Sequence, residues 1–283
     1  MENREQETLG ELTRKLLKKH AFQPKKKLGQ HFLTDPGVLN RLLEAANPRK
    51  TDLVIEIGTG LGIVTKILAS GSGALVSIEY DKILFQIANE YLKSVRNIEL
   101  IRDDILRLNF SGILKRYQNF KNFKIVANLP YYISTPIIAK LIELRPKPDL
   151  IVLTVQREVA ERIVAKPGTK DYGSFTIFVQ YYTEPKIHSY APKSAFYPQP
   201  LVGSAIIVLK PRTIPQVKVG DEKLFFDIVH AAFQQRRKML RVALKKFKGI
   251  SEILSKLGID EKRRGETLSI KEFARITQEF LHR

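Results

Sequence analysis

The sequence predicts an α/β protein in which helices cover both faces of a mostly parallel sheet, followed by a small all-helical domain. Strand-like and helix-like runs alternate from Leu39 to about Arg212, as a parallel sheet with crossover helices requires. A glycine-rich turn at 58–62 joins the first strong strand to the next helix, as it does in nucleotide-binding sheets. Beyond residues 210–215 the pattern is helical only.

The individual elements follow from the type and spacing of the apolar residues. Residues 1–27 predict a polar, partly helical arm that ends in Lys25, Lys26 and Lys27. Apolar runs predict strands at 53–57, 75–78, 98–101, 124–127, 150–155, 176–182 and 205–209, and helices at 61–69, 83–91 and 136–144. For the last of these helices, Thr135 is the predicted N-cap and Pro136 the first helical residue.

These elements predict three parts of the chain. They are an N-terminal arm at 1–27, an α/β domain at 28–212 and a helical C-terminal domain at 213–283. Residues 210–215 contain two prolines and have the composition of a linker. Between residues 221 and 247 apolar and basic residues are interleaved at helical spacing, so we expect the basic side of this domain to face outward.

The composition is that of a globular protein. Of 283 residues, 43% are hydrophobic and 27% charged, which is enough apolar mass for a core, and no apolar run approaches the roughly 18 residues that span a bilayer. The first 20 residues mix acidic and basic side chains, so we expect neither a signal peptide nor a transit sequence. The absence of cysteine excludes disulfides, thiolate metal sites and cysteine nucleophiles, and a cytoplasmic protein is expected.

The charge balance points to a polyanionic partner. The chain has 48 Lys and Arg against 29 Asp and Glu, a formal net charge of +19, which favours nucleic acid because neutralised phosphates release counterions. An anionic membrane surface is the weaker alternative, because no long basic amphipathic helix with aromatic anchors is present in the sequence. We expect no metal, since no two of the histidines have the spacing of a metal motif; they are His20, His31, His188, His230 and His282.

A glycine motif and three acids predict a cofactor site. Gly58, Gly60 and Gly62 follow a strand, and Ile63 stands where a dinucleotide fold would have glycine, so the spacing is typical of S-adenosylmethionine-binding folds. Glu79 ends the next strand, where a carboxylate accepts hydrogen bonds from ribose hydroxyls. Asp103 and Asp104 follow the third strand, close enough to reach the adenine of a cofactor; Asp104 is preferred. The alternatives are a tight turn for the glycines and helix capping for the acids.

The sequence Asn-Leu-Pro-Tyr at 128–131 follows the fourth strand. After a G-x-G-x-G strand it matches the motif of methyltransferases that act on the amine of adenine or cytosine. That amine is a poor nucleophile because its lone pair is delocalised into the ring. The amide oxygen of Asn128 and the carbonyl of Leu129, held beside Pro130, would accept its N–H bonds, and Tyr131 would stack on the base. An ordinary turn is the alternative reading.

The chain resembles the ribosomal RNA adenine dimethyltransferases, in particular the kasugamycin-resistance family that modifies small-subunit RNA. The matching stretches occur in order over about 27–210. They are Lys-Leu-Gly-Gln-His-Phe-Leu at 27–33, Glu-Ile-Gly-Thr-Gly-Leu-Gly at 56–62, Asn-Leu-Pro-Tyr at 128–131, Gln-Arg-Glu-Val-Ala-Glu-Arg at 156–162, Lys-Asp-Tyr-Gly at 170–173 and Pro-Lys-Ser-Ala-Phe-Tyr-Pro-Gln-Pro at 192–200. The resemblance implies a Rossmann-like, S-adenosylmethionine-dependent methyltransferase sheet with a helical C-terminal domain.

The resemblance also implies roles for individual residues. The cofactor contacts that carry over are His31, Leu33, Gly58, Gly60, Glu79, Asp104 and Asn128. Phe196 would be a second aromatic wall for a flipped adenine, with a core aromatic as the alternative. His31 and Tyr132 each stand where Asn is common in the family, and Gly203 replaces a usually polar residue. The net charge, and not the resemblance, predicts RNA contacts in a basic run of the C-terminal domain, with a solvated helix face as the alternative; they are Arg236, Arg237, Lys238 and Arg241.

The resulting hypothesis is an enzyme that dimethylates N6 of two adjacent adenines near the 3′ end of small-subunit ribosomal RNA. Its expected partner is the immature small subunit, and a monomer is expected. One alternative is a large-subunit RNA adenine methyltransferase of the macrolide-resistance type, although residues 156–173 resemble the small-subunit family. The other is a non-catalytic RNA-binding assembly or transcription factor on the same fold, although the complete motif at 128–131 favours catalysis.

Overall fold

A computed structural model of the protein describes residues 7–25 and 29–282. Within these residues the strands are β1 (Phe32–Leu33), β2 (Asp52–Ile57), β3 (Ala74–Glu79), β4 (Ile98–Arg102), β5 (Asn122–Asn128), β6 (Leu150–Gln156), β7 (Thr183–Ala191), β8 (Phe196–Tyr197) and β9 (Ser204–Pro211). The helices are α1 (Leu9–Lys19), α2 (Pro36–Ala46), α3 (Ile63–Gly71), α4 (Lys82–Tyr91), α5 (Phe110–Arg116), α6 (Ser134–Glu143), α7 (Arg157–Ile163), α8 (Ser174–Tyr182), α9 (Glu222–Gln234), α10 (Leu240–Ala243), α11 (Ile250–Lys256) and α12 (Ile270–Leu281).

Seven of the strands form one sheet in the order β4-β3-β2-β5-β6-β9-β7. β2 pairs in parallel with both β3 and β5, β5 pairs in parallel with β6, and β9 is antiparallel to β6. The first strand that the chain adds to this sheet is β2. The next two strands, β3 and β4, are added on one side of β2, and β5 is added on its other side, so the strand order reverses between β2 and β5. In open α/β sheets a crevice forms at the carboxyl ends of the strands at such a switch point. The predicted α/β class is confirmed. The switch point between β2 and β5 is therefore where we expect a ligand-binding site.

Six of the seven predicted strands are confirmed, and the one at 176–182 is wrong. That segment is α8, and the edge strand β7 follows it at Thr183–Ala191. The run is rich in aromatic and β-branched residues, and a short continuous apolar run does not distinguish a buried strand from a buried helix. The helix begins at Ser174, and Thr176 in its first turn stabilises this start, because its hydroxyl accepts a hydrogen bond from the Gly173 amide and donates one to the Arg162 carbonyl.

The predicted helices exist, but one predicted cap is wrong. A short 3-10 turn at Tyr131–Ile133 leads directly into α6, which therefore begins at Ser134 and has Thr135 inside its first turn. In the predicted N-terminal arm, α1 is helical and is capped by reciprocal hydrogen bonds between Thr8 and Glu11. Residues 1–6 and 26–28, which include two of the three predicted lysines, lie outside the described residues.

The described residues divide into two compact units. Residues up to Ala160 form one unit with Lys186–Pro211, and Glu161–Pro185 form the other with the residues from Arg212 onward. The sequence predicts that the segment 161–185 is part of the domain at 28–212. In the structure the segment belongs to the same unit as the C-terminal helices. The reason is its apolar content: Tyr172, Ile177 and Tyr181 are buried in one cluster with Phe225 and Phe273. No helix among the described residues is long and apolar enough to cross a membrane.

The C-terminal unit depends on this aromatic cluster, so we predict that Phe273→Ala destabilises it by about 3–5 kcal/mol. Phe273 is fully buried in α12, where its ring centroid lies 6.2 Å from that of Phe233, and truncation leaves a cavity. Urea denaturation followed by circular dichroism measures the effect. Lys271→Ala, an exposed position on the same helix, is the control and should change stability by less than about 0.5 kcal/mol. Equal midpoints for the two variants would contradict the prediction.

Candidate active site

A cavity of about 330 Å³ opens at the carboxyl ends of the strands at the switch point. It is lined by the turns that follow β2, β3, β4 and β5 and by the segment 29–32 that precedes and enters β1. Six of the seven residues predicted to contact a cofactor line it: His31, Gly58, Gly60, Glu79, Asp104 and Asn128. Leu33 is the exception, because it lies in the core, where only 5% of it is exposed. No cluster of His, Asp and Glu that suits a metal ion occurs among the described residues.

The glycine turn after β2 forms the floor of the cavity. Gly58 and Gly60 have φ angles of +85° and +58°, in the left-handed region that side chains with a Cβ disfavour. A Cβ on Gly60 would also lie 3.3 Å from the ring of Phe32. The turn is therefore compact, and its backbone leaves room for a ligand at close range.

Glu79 ties this turn to the end of β3. One of its carboxylate oxygens accepts a hydrogen bond from the Gly60 amide at 2.8 Å, and the other accepts one from the Asp81 amide at 2.8 Å. Each oxygen keeps acceptor capacity for a ligand hydroxyl. Burial raises the pKa of Glu79, and the backbone amides that bond it act in the opposite direction. Glu79 is thus placed in the cavity wall as an oriented acceptor.

Asp103 and Asp104 both line the cavity, at the turn after β4. The Asp103 carboxylate accepts from the Asp104 amide at 2.7 Å, and the Asp104 carboxylate accepts from the Leu106 amide at 2.9 Å. Each acid therefore makes a local turn bond of the kind that the capping alternative describes. Which of them contacts an adenine stays a prediction that favours Asp104.

Asn128 stands at the end of β5, directly beside the glycine turn. Its side-chain nitrogen donates a hydrogen bond to the His31 carbonyl at 2.8 Å, an orientation assigned from the hydrogen-bond partners. Because the nitrogen is engaged, the amide oxygen is the atom available to accept a hydrogen bond. The next residue, Leu129, has a buried side chain and its amide donates to the Thr154 carbonyl.

Tyr131 is held next to the cavity rather than in its lining. Its hydroxyl is hydrogen-bonded to that of Ser204, and its ring stacks on His31 with centroids 5.4 Å apart. Burial raises the pKa of Tyr131, and its hydrogen bond with Ser204 opposes that effect. Both contacts fix the plane of the ring. The neighbouring Pro130 lines the cavity.

The structure places Phe196 in the core. Only 1% of its surface is exposed, and it packs with Leu33, to which it is paired across the β1–β8 ladder. It does not line the cavity, so this arrangement matches the core-aromatic alternative, and a base contact by Phe196 stays a prediction. Two exposed aromatic residues do line the cavity mouth, Tyr80 and Tyr132. Tyr80 was not singled out from the sequence, although its position directly after the acid that ends β3 was a usable signal.

A buried carboxyl group lies behind the glycine turn. Glu56, in β2, is 3% exposed, and one of its oxygens accepts hydrogen bonds from the hydroxyls of Thr65 and Ser77, each at 2.6 Å. Ser77 is also bonded to Thr59 of the turn, at 2.6 Å. Burial raises the pKa of Glu56 to about 7, although both hydroxyl donors act to lower it. The turn thus rests on a buried polar network.

The predicted RNA contacts occupy the surface of the C-terminal unit. Arg236 donates to the carbonyls of Lys170 and Tyr172 and pairs with Glu266, so part of its guanidinium serves the unit itself. Arg241 lies 3.9 Å from a carboxylate oxygen of Glu261. The other two, Arg237 and Lys238, are exposed after the end of α9. Their contact with RNA stays a prediction.

A switch-point cavity with a glycine turn, an acid at the end of the neighbouring strand and an oriented asparagine defines a nucleotide-binding α/β enzyme. The family model described as "Ribosomal RNA adenine dimethylase" matches residues 21–281, nearly the whole chain. The protein therefore belongs to the ribosomal RNA adenine dimethylase family, and the resemblance seen in the sequence is confirmed.

Individual relatives agree with this assignment. The chain is 44% identical over 271 residues to ribosomal RNA small subunit methyltransferase A of Clostridium acetobutylicum, covering 94% of this chain and 97% of the relative. It is 42% identical to the protein of the same name from Bacillus cytotoxicus, covering 94% of each. Among solved structures, a dimethyladenosine transferase from Plasmodium falciparum has a TM-score of 0.76 at 25% identity, covering 89% of this chain and 98% of that one. The 23S rRNA methyltransferase ErmE, at 24% identity and a TM-score of 0.69, covering 89% and 100%, shares the fold.

The buried Glu56 predicts a pH dependence of stability. In the unfolded chain this carboxyl ionises near its usual pKa of 4.5, whereas the folded protein holds the proton until about pH 7. Between pH 4.5 and about 7 the folded state therefore binds more protons than the unfolded state, and the free energy of unfolding decreases as the pH rises through this range. Glu56→Gln, which keeps an acceptor for both hydroxyls, removes this contribution. Urea denaturation at several pH values should show the two proteins diverging between pH 4.5 and 7, and parallel curves would refute the assignment.

Proposed function

We propose that the protein transfers methyl groups from S-adenosylmethionine to N6 of two adjacent adenines near the 3′ end of small-subunit ribosomal RNA, forming N6,N6-dimethyladenosines. The observation that carries the proposal is the position of Asn128: its free amide oxygen lies at the end of β5, beside the glycine turn, in the motif Asn-Leu-Pro-Tyr. The names of the curated relatives supply the small subunit as the target. Modification at this point has a role in the biogenesis of the small subunit.

The residues that line the cavity fit S-adenosylmethionine, which supplies an electrophilic methyl group when bound. Glu79 offers oriented carboxylate oxygens to ribose hydroxyls, and Asp104 offers an acceptor to the exocyclic amine of the cofactor's adenine. The positive φ angles of Gly58 and Gly60 bring the backbone close to the ligand without a side chain in between. His31 contributes its backbone to the wall above Asn128.

The chain activates the target amine by accepting its hydrogen bonds. The oxygens of Asn128 and of the Leu129 carbonyl accept the N–H groups, which localises the lone pair of the nitrogen. Tyr131, fixed by Ser204 and His31, presents its ring to the base and to the positive charge that develops on it. The alkylated nitrogen is acidic and loses its proton readily, so the site needs no strong base. A second transfer requires that the same oxygens tolerate a methylated amine.

The substrate is a large anion, which agrees with the net charge of +19.

Methyl transfer from labelled S-adenosylmethionine to unmethylated small subunits, and separately to protein-free large-subunit RNA, tests the function. Nucleoside mass spectrometry should find dimethyladenosine only in the small subunit. Product only in large-subunit RNA would make the protein a macrolide-resistance type enzyme, and cofactor binding with no product in either RNA would make it a binding factor.

Asn128→Ala should reduce kcat by at least about 100-fold, because it removes an acceptor that acts on the reacting amine. Binding to small subunits, measured by sedimentation, should change little, since most of the contacts to RNA lie elsewhere. Steady-state transfer and sedimentation on one preparation separate the two effects. An equal loss of transfer and of binding would contradict the role given to Asn128.

The two neighbouring aspartates form a matched pair for the cofactor. Asp104→Asn should weaken the binding of S-adenosylhomocysteine about tenfold, the expected loss of a hydrogen bond to a charged acceptor. Asp103→Asn, one residue away in the same cavity wall, should stay within about twofold of the wild type. Isothermal titration calorimetry measures both affinities. The reverse order would assign the adenine contact to Asp103.

A further inference from the structure

An exposed cation–π pair lies on the sheet close to the catalytic motif. The guanidinium carbon of Arg157 is 5.0 Å from the centroid of the Tyr190 ring. Arg157 directly follows β6, and Tyr190 is the last residue but one of β7. Tyr190 is 49% exposed, so much of this aromatic residue is accessible to a binding partner.

The pairing of the strands places this pair at the same edge of the sheet as Asn128. β5 and β6 are parallel, with Asn128 opposite Thr154, so the ends of both strands meet at one edge. The start of β9 joins them there, because Ser204 is opposite Gln156 and the Arg157 amide donates to the Gly203 carbonyl at 2.9 Å. Arg157 therefore stands at the rim on which the active site opens.

Tyr190 is linked to the catalytic aromatic ring by a short path of contacts. The Tyr131 hydroxyl is hydrogen-bonded to the hydroxyl of Ser204. The preceding residue, Gly203, lies beside Ala191: a Cβ placed on Gly203 would be 3.4 Å from the Ala191 carbonyl oxygen. Tyr190 precedes Ala191. Because side chains alternate along a strand, Ala191 is buried while the Tyr190 ring stands on the solvent side. The two tyrosines are thus connected through the start of β9, because Tyr131 contacts Ser204 and the residue after Tyr190 lies beside Gly203.

We infer that Tyr190 binds a nucleobase of the substrate RNA that flanks the target adenine, by stacking. The inference rests on the proposed function, since an adenine that enters the pocket must leave its helix and exposes the faces of its neighbours. Single-stranded bases stack on exposed aromatic rings regardless of sequence. Arg157 holds the ring in one orientation through the cation–π contact, so little side-chain freedom is lost when a base binds.

Steady-state methyl transfer to unmethylated small subunits tests this role. Tyr190→Ala should raise KM for the subunit about tenfold, the effect of one lost base–aromatic stack, with kcat within about twofold. Tyr190→Phe keeps the ring and should retain the wild-type KM. His188→Ala, an exposed side chain two residues away on the same side of β7, is the matched control and should behave as wild type.

An unchanged KM for Tyr190→Ala, or the same loss in Tyr190→Phe, would overturn the inference. Ultraviolet crosslinking of the wild-type protein to the subunit gives a readout that does not depend on the folding of a variant. A crosslink from Tyr190 to a nucleotide next to the target adenines is expected, and crosslinks that leave Tyr190 unmodified would refute it. Failure of the wild-type protein to form dimethyladenosine would instead refute the proposed function, so the two failures are distinguishable.

Discussion

The hydrogen bond from the Gly60 amide to Glu79 is the interaction on which the site depends. It connects the turn after β2 to the end of β3, so that two neighbouring strands present one rigid wall to the cavity. The turn accepts this connection because Gly60 adopts a positive φ, and it rests from behind on the buried network of Glu56, Thr65 and Ser77. Glu79, which we propose as the acceptor of ribose hydroxyls, is thereby oriented before any ligand arrives, which reduces the entropy lost on binding.

A second set of contacts attaches the N-terminal segment to the cavity. Lys25 forms an ion pair with the almost buried carboxylate of Asp81 at 2.8 Å, and the carbonyl of His31 receives the amide of Asn128. This second bond leaves the amide oxygen of Asn128 available, since the nitrogen is engaged, and in the proposed function this oxygen faces the substrate. The segment before β1 is far from the motif in sequence but sets its chemistry. Cofactor wall and catalytic acceptor are therefore built as one assembly.

Apolar runs and short motifs within the sequence predicted most of the fold. The parallel strands β2, β3, β5 and β6 are rich in Val, Ile and Leu, and the glycine turn and Glu79 directly follow or end such strands, so the sequence predicted both the sheet and the residues of the cavity wall. The segment 176–182 was misassigned because its aromatic residues suit a strand or a buried helix equally, and only packing with residues such as Phe225 decides between them. The burial of Phe196 was likewise set by its pairing with Leu33, a contact that local sequence does not contain. Tyr190 belongs to no sequence motif, and the role inferred for it rests on the strand order and its contact with Arg157.

The site divides its work between parts of different chemical character. The cavity side contains backbone turns and carboxylates, with Tyr80 and Tyr132 at its mouth, and in the proposed function the turns and carboxylates recognise a small cofactor through oriented hydrogen bonds. The proposed substrate side has two aromatic rings, Tyr131 held by Ser204 and His31, and Tyr190 held by Arg157. Aromatic rings bind any base through its faces, so in the proposed function these rings hold RNA without distinguishing its sequence, and the acceptors at Asn128 select an amine. Specificity for one position in a large RNA must then come from contacts spread over the basic surface, which explains why so small a pocket belongs to a chain with a net charge of +19.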